Sequence, residues 1–452
     1  MSEESGAHLR YQYKAFLDAL PTDWETKSIS QLGTVFGGGT PSRDVPSFWR
    51  GTIPWVTPGE VSEEASKYLH DTADHISPAG LAGSGANLLP SGSLMVTTRA
   101  TLGARAINAV PMATNQGFKS IAFRHVQDAD YYFHLFEKVK PELVRRGSGT
   151  TFLEVSGAEF GTILVPSPPR GEKQQIAHVL DTLDIAIQQT EAIIAKLKAV
   201  KQGLLHDLLT RGIDANGELR PPQSEAPQHY KASPVGQIPL AWDDQPFGKL
   251  CSSSAFGPRF PSDAYDEHGP LATLRTTDMD DEGNISLATM PRAAISPKSF
   301  AEHLLKVGDI VISRSGTCGV TGVFSGHELP VVPGAFLIRF RLNDLRVVEF
   351  YRRFFNSSLG RPQLERLAVG GVQKNIKGSD VLALRVPALP PDEAKEIAER
   401  VGSVEADIAA NQAKLVKLRQ GKSGLMDDLL TGRVRVTSLL EQAARPALDA
   451  VA

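Results

Sequence analysis

Apolar residues recur along two stretches of the chain at steps that mostly alternate four and three. The first set is Ile176, Leu180, Leu183, Ile187, Thr190, Ile194, Leu197, Leu204 and Leu208. The second is Ile397, Val401, Val404, Ile408, Asn411, Leu415, Leu418, Leu425 and Leu429. This is heptad spacing, and it predicts two long amphipathic helices, each with one narrow apolar seam. The only polar members, Thr190 and Asn411, hold the same place in the two sets, and a polar seam residue commonly sets register. Pro168-Pro169 and Pro390-Pro391 stand just before the helices, where proline is tolerated, and Gly212 and Gly432 follow as stops. About 33 helical residues make a rod of roughly 50 Å. Matching narrow seams suggest that the helices pack on each other. An antiparallel pair would give pseudo-twofold symmetry and hold globular parts at opposite ends. The plainer alternative packs each helix onto its own domain.

The seams match because the chain repeats itself. Asp207-Leu208-Leu209-Thr210 returns as Asp428-Leu429-Leu430-Thr431, and Val165-Pro166 returns as Val386-Pro387 at the same offset. Further upstream the offset wanders, as when Trp24 matches Trp242 and Phe36-Gly37 matches Phe256-Gly257. Loops absorb insertions, whereas a packed helix cannot shift register. Each half therefore reads as a variable globular part followed by a rigid helix. Short runs with β-branched residues at 52–56, 94–98 and 120–123, and at 309–313 and 335–342, predict strands. The expected fold class is α+β: two duplicated mixed α/β domains separated by two long antiparallel coiled-coil helices with pseudo-twofold symmetry. The expected boundaries are a first domain at 1–168, a helix at 169–212 and a linker at 213–236. A second domain follows at 237–389, a second helix at 390–435 and a tail at 436–452.

Composition narrows the class. Hydrophobic residues are 41% and charged residues 22% of the 452, the balance of a globular chain with sizeable cores. No apolar run is long enough to suggest a membrane span. The polar, acid-bearing first ten residues do not read as a secretory signal. Two cysteines, Cys251 and Cys318, argue against a disulfide scaffold or a cysteine zinc site and fit a reducing cytoplasm. Net charge is −3, so a nucleic-acid partner has to be held by local patches. Catalytic motifs fail one by one. Gly421-Lys422-Ser423 lacks the upstream glycine of a phosphate loop and lies inside a helix. Pro391-Asp392 with Glu393 and Lys395 sits at a helix start, where acids simply favour the dipole. No metalloprotease or hydrolase signature occurs, the histidines form no ligand-like pair, and no methyltransferase base-holding loop is present. The reading is a chain without chemistry, cofactor or metal of its own.

What recurs instead are polar, glycine-bearing loops at corresponding places in both halves. The first half offers Gly38, Gly39, Thr40, Ser42 and Arg43, then Thr98, Arg99 and Thr101, then Asn115, Gln116 and Lys119, then Arg145, Arg146 and Ser148. The second offers Arg259, then Arg275 and Thr276, then Ser313, Arg314 and Ser315, then Lys374, Asn375 and Lys377. Such side chains reach phosphates and base edges, with Arg suited to guanine and Asn or Gln to adenine. A solvated turn explains any one loop alone. Recurrence at matching positions with different side chains is what two modules reading two sequences would display.

The arrangement resembles the specificity subunits of type I restriction–modification enzymes. The resemblance rests on Leu20-Pro-Thr-Asp-Trp24, the run from Gly37 to Arg43, and Ile53-Pro-Trp-Val-Thr-Pro58. It also rests on Gly212-Ile-Asp-Ala-Asn-Gly-Glu-Leu-Arg220, Pro234-Val-Gly-Gln-Ile-Pro239 to Trp242, and the helices ending in Asp-Leu-Leu-Thr. The second half departs from it, with Phe256-Gly257-Pro258-Arg259 in place of the triple glycine and Thr273-Leu274-Arg275 in place of Trp55-Val56-Thr57. The resemblance implies two target-recognition domains, each reading half of a bipartite site in double-stranded DNA, with the helices setting the unread spacer. Adding one helix turn would change that spacer by about one or two base pairs. It also implies two methyltransferase subunits that bring S-adenosylmethionine and two restriction subunits that use ATP and Mg²⁺. The outward lysines Lys196, Lys198 and Lys201 are a candidate methyltransferase dock or simply solvated. The competing reading is a non-catalytic coiled-coil scaffold or adaptor that binds other proteins.

Overall fold

A computed structural model gives the structure of the protein; it describes residues 3–61, 66–148, 153–369 and 374–436, with the side chains of 3–10 excepted. The sequence positions 149–151, 373 and the tail from 437 lie outside the described residues. The chain forms two compact units, 1–191 with 414–452, and 192–413. The division falls inside the two long helices, Arg170–Thr210 and Pro391–Leu430, so each unit takes part of both. It does not follow the expected boundaries at the helix ends.

Within unit 1 the helical segments run antiparallel. Asp184 pairs with Lys422 and Glu191 with Arg419, so partner numbers fall as helix numbers rise. Ile176 and Leu180 share one core with Leu429 and Leu430. Within unit 2, Leu208 and Leu209 share a core with Ile397 and Val401, and Lys201 pairs with Glu405 at 3.3 Å. Every seam residue is buried or half-buried. The two polar ones behave differently from the expectation. Thr190 Oγ1 donates to Ala186 O and Asn411 Nδ2 to Asp407 O, each within its own helix. A short side chain one turn above a carbonyl satisfies itself locally, so neither residue reaches across to fix register. The helices stop at Gly212 and Gly432, with φ of 63° and 69°.

Unit 1 carries a five-stranded sheet ordered Gly33–Gly37, Phe118–Phe123, Leu94–Thr97, Arg105–Asn108 and Tyr68–Leu69. A three-stranded sheet of His75–Ile76, Trp49–Val56 and Ala113–Thr114 lies beside it in the order of pairing. Unit 2 repeats the plan. Its larger sheet orders Cys251–Phe256, Leu337–Leu342, Ile310–Ser313 and Thr321–Val323, and its smaller one Arg292–Ala293, Leu271–Leu274 and Val331–Pro333. All five expected strands are present. An amphipathic helix backs each large sheet: Asp128–Arg146 in unit 1 and Val348–Asn356 in unit 2, burying Leu135, Phe136 and Val139, and Phe350, Phe354 and Phe355.

The same clasp anchors each helix start to its unit. Trp24 Nε1 donates to Glu172 at 2.8 Å, and Arg435 grips the same carboxylate at 2.7 Å. In unit 2, Trp242 Nε1 donates to Glu393 at 3.0 Å, with Arg220 on that carboxylate. Arg220 belongs to the segment expected as a linker. That segment is folded instead: Ile213 and Ala226 are buried, and Tyr230–Ser233 pairs with Gly236–Pro239. Glu393 draws it in, because a buried carboxylate needs donors and the Ile213 N–H supplies another at 2.9 Å.

Candidate nucleic-acid interface

Sheet register brings the unit 1 loops together. Gly38 N–H donates to Phe118 O, Gly39 N–H to Thr114 O, and Thr98 N–H to Gly117 O. Thr40 Oγ1 bonds Gln116 Oε1. The chain at Ala100 reaches Leu153 O, and Val155 N–H reaches Thr98 O. Glycine is required at the first crossing, since a Cβ on Gly38 would stand 1.7 Å from Asn115 O. The loops bearing Gly38 to Arg43, Thr98 to Thr101 and Asn115 to Lys119 are thus neighbours on one rim, with Glu154 beside them.

Thr40, Ser42, Arg43, Arg99, Thr101, Gln116 and Ser148 are exposed there. The Arg43 guanidinium lies 3.6 Å from the Trp49 ring centroid and 2.6 Å from Asp74. A guanidinium stacked on an indole gives up little further entropy when it meets a phosphate or a guanine. Arg99 and Lys119 lie 3.8 and 3.9 Å from Glu154. Burial pushes the Lys119 ammonium below the usual lysine range, and Glu154 pulls it partly back. Asn115 Oδ1 accepts from Gly117 N–H and so shapes its own turn. Thr98 is buried and bonded to Gly117 O, which makes it a support.

Arg145 and Arg146 are not on offer. Both clamp the buried Glu142 at 2.7 Å, and Arg146 also reaches Glu159 and Thr162. Burial would raise the Glu142 carboxyl, but the hydrogen bonds and charges of both arginines hold it below the usual range. A carboxylate in the helix takes up the two charges, so the guanidinium groups serve the fold.

In unit 2 the Arg314 guanidinium lies 4.7 Å from the Phe256 ring centroid, and its Nε donates to Asn375 Oδ1 at 2.9 Å. Ser315 and Asn375 are bridged backbone to backbone, and Lys374 and Lys377 are exposed alongside. Ser313 and Ser315 are buried, with Ser313 Oγ donating to Thr317 O and accepting from Val320 N–H, so Ser313 braces the turn. Arg275 chelates Asp278, at 2.8 Å for one pair, and donates to Thr289 O while its side chain stays partly exposed. Arg259, Arg275 and Thr276 line a cleft of about 520 Å³ with Phe260, Tyr265 and Phe336. Sequence reasoning missed those aromatics and Glu154. Lys201 is no free dock, being paired with Glu282 and Glu405.

One cluster has the composition of a metal site. His134, Asp181 and Asp184 present ligand atoms within 4.8 Å of one another in unit 1. The sequence hid it, because the residues come from two helices. The ammonium of Lys67 lies 2.6 Å from Asp181, and Lys422 bonds Asp184, so cations of the chain itself neutralise both carboxylates. That favours an ion-pair network over a bound metal.

Residues 21–199 match the family model for the type I restriction modification DNA specificity domain. The MjaIX specificity subunit of Methanocaldococcus jannaschii is 24% identical over 429 residues, covering 93% of this chain and 95% of that one. The EcoR124I/EcoR124II specificity subunit of Escherichia coli is 24% identical over 184 residues, covering 38% and 45%. The fold is that of a type I S subunit from M. genitalium, at TM-score 0.55 and 12% identity over 91% of this chain and 98% of that one. A structure from a study of complex assembly in the type I R-M system matches at TM-score 0.53 and 17% identity, covering 92% and 99%. Over nearly its whole length the chain is similar to type I restriction–modification specificity subunits, and its residues 21–199 match their DNA specificity domain.

Proposed function

We propose that this chain is the DNA-recognition subunit of a type I restriction–modification complex, each unit reading one half of a bipartite site. One observation carries the proposal. Two units of one plan present polar loops at equivalent strand ends, held by equivalent backbone bonds but bearing different side chains. Gly38 N–H donates to Phe118 O, and Gly257 N–H to Leu337 O; Thr57 N–H is capped by Glu60, and Arg275 N–H by Asp278. Conserved support under divergent tips is what a pair of readers for two sequences needs.

The chain supplies the address, and partners supply the chemistry. Two methyltransferase subunits bring S-adenosylmethionine, and two restriction subunits use ATP and Mg²⁺, in the cytoplasm. The long helices set the unread spacer and dock the methyltransferases, with Lys196 and Lys198 exposed for that contact. The test is to map DNA methylation in cells carrying this chain and its methyltransferase partner. A bipartite methylated motif is the expected result. Loss of all sequence preference with an active partner would overturn the proposal in favour of a protein-binding scaffold.

A further inference from the structure

The two units differ at one framework position in a way that opens a site. In unit 1, Trp55 pairs in parallel with Ala113, two residues beyond Ile53, which pairs antiparallel with Ile76. In unit 2, Thr273 pairs in parallel with Val332, two residues beyond Leu271, which pairs antiparallel with Ala293. The caps that follow, Thr57 on Glu60 and Arg275 on Asp278, confirm the equivalence. The Trp55 indole is 3% exposed, and its Nε1–H donates to Gly39 O at 2.9 Å. It plugs unit 1, with Trp49 edge-on at 5.1 Å.

A threonine at the same place leaves the plug out. Thr273 is 1% exposed, and its Oγ1 finds no hydrogen-bond partner among the described residues. The smaller side chain fills less of the space that the indole occupies in unit 1, so the difference in volume stays open to the cleft. Thr273 lines the cleft of about 520 Å³, a volume in the range of small-molecule sites. Its walls include Phe260, Tyr265 and Phe336, the last 49% exposed at the mouth. Arg275 is already oriented by Asp278 and Thr289.

We propose that this cleft receives one purine base turned out of the duplex, taking the place that the Trp55 indole fills in unit 1. A purine is a planar bicycle of indole size with polar edges. The aromatic walls can stack on its faces, and Arg275, at the cleft wall, can meet its edge. The inference rests on the DNA-recognition reading and deepens it: unit 2 reads one position by extrusion.

The test scans the half-site read by residues 237–389 with single mismatches, at fixed salt, using the full chain and duplexes of the mapped site. The base that becomes methylated is left intact. Mismatches usually weaken specific binding, but at an extruded base they remove the cost of unpairing. We expect a severalfold gain in affinity at one purine position. T273W restores the unit 1 plug and should cancel the gain, leaving preference at the other half-site unchanged. F336A, at an exposed wall position, should reduce it without touching the core. Specific binding in which every mismatch weakens the complex, or in which T273W keeps the gain, overturns the pocket alone. Absence of any specific binding overturns the DNA reading and the pocket with it.

Discussion

The Arg145–Glu142–Arg146 clamp decides how two of the basic residues nearest the rim are used. The Glu142 side chain is nearly inaccessible and sits among donors at 2.7 Å. Replacing it with glutamine removes the charge but not the volume, leaving the partly buried Arg145 without its counter-ion and Arg146 with Glu159 alone. We expect Glu142→Gln to destabilise unit 1 by about 2–3 kcal/mol, somewhat less than for a fully buried pair, read by denaturant titration. His134 gives the opposite lesson. It lies 2.7 Å from Asp181, a contact that favours the imidazolium. Burial nevertheless holds its pKa below the usual 6.5, and Lys67, already on Asp181, lowers it further. A group with a depressed folded pKa stabilises fully above its unfolded value and loses that stability as pH falls through the folded one. Unfolding midpoints should therefore drop between pH 7 and 5, and His134→Gln should flatten that slope. A slope unchanged in the variant would assign the effect elsewhere. None of this was legible in the sequence, because helical neighbours three and four apart, such as Glu142 with Arg145 and Arg146, look identical whether they face water or a core.

The helical elements were the most legible part of the chain. Heptad spacing needs only the order of residues, and Ile176, Leu180, Ile397 and Val401 are all essentially inaccessible. The seam is not uniform, however. Leu183, Ile187 and Leu197 are half-buried, and Ile185, Ile193, Val200 and Val416 are exposed on the same helices. Leu180→Ala should cost about 2–5 kcal/mol, as an atom-filled site in the shared core with Leu429 becomes a cavity. Leu197→Ala should cost distinctly less, because water already reaches its side chain. Equal losses in thermal unfolding would mean that the seam is packed evenly along its length. The roles of Thr190 and Asn411 were misjudged for a physical reason: heptad position names the face a residue occupies, not the acceptor its side chain selects. The folded segment after Gly212 was misread on similar grounds. Its Pro, Asn and Gln are typical of linkers, and only the distant Glu393 and Trp242 give it a place to pack.

At the scale of the molecule, duplication has produced two compact units on one plan, which the proposed function makes two readers. Each unit has its own large core, its own Trp–Glu–Arg clasp and its own rim of loops. Independence at this level makes half-by-half exchange the natural test of the division of labour. Replacing residues 20–168 with the equivalent stretch of another specificity subunit should change one half of the methylated motif and leave the other half intact. Replacing 237–389 should do the reverse. The net charge of −3 sets a second expectation. Arg43 already faces Asp74, and Arg99 faces Glu154, so on the unit 1 rim two of the arginines are paired before any phosphate arrives. The chain alone should bind duplex weakly, with a shallow dependence of affinity on salt, since each neutralised phosphate adds about 0.9 to the slope. Addition of the methyltransferase should steepen that slope as further phosphates are engaged. A slope that is steep for the chain alone would mean that the Asp74 and Glu154 pairs open on binding, and alanine at Arg43 would then flatten it by about one.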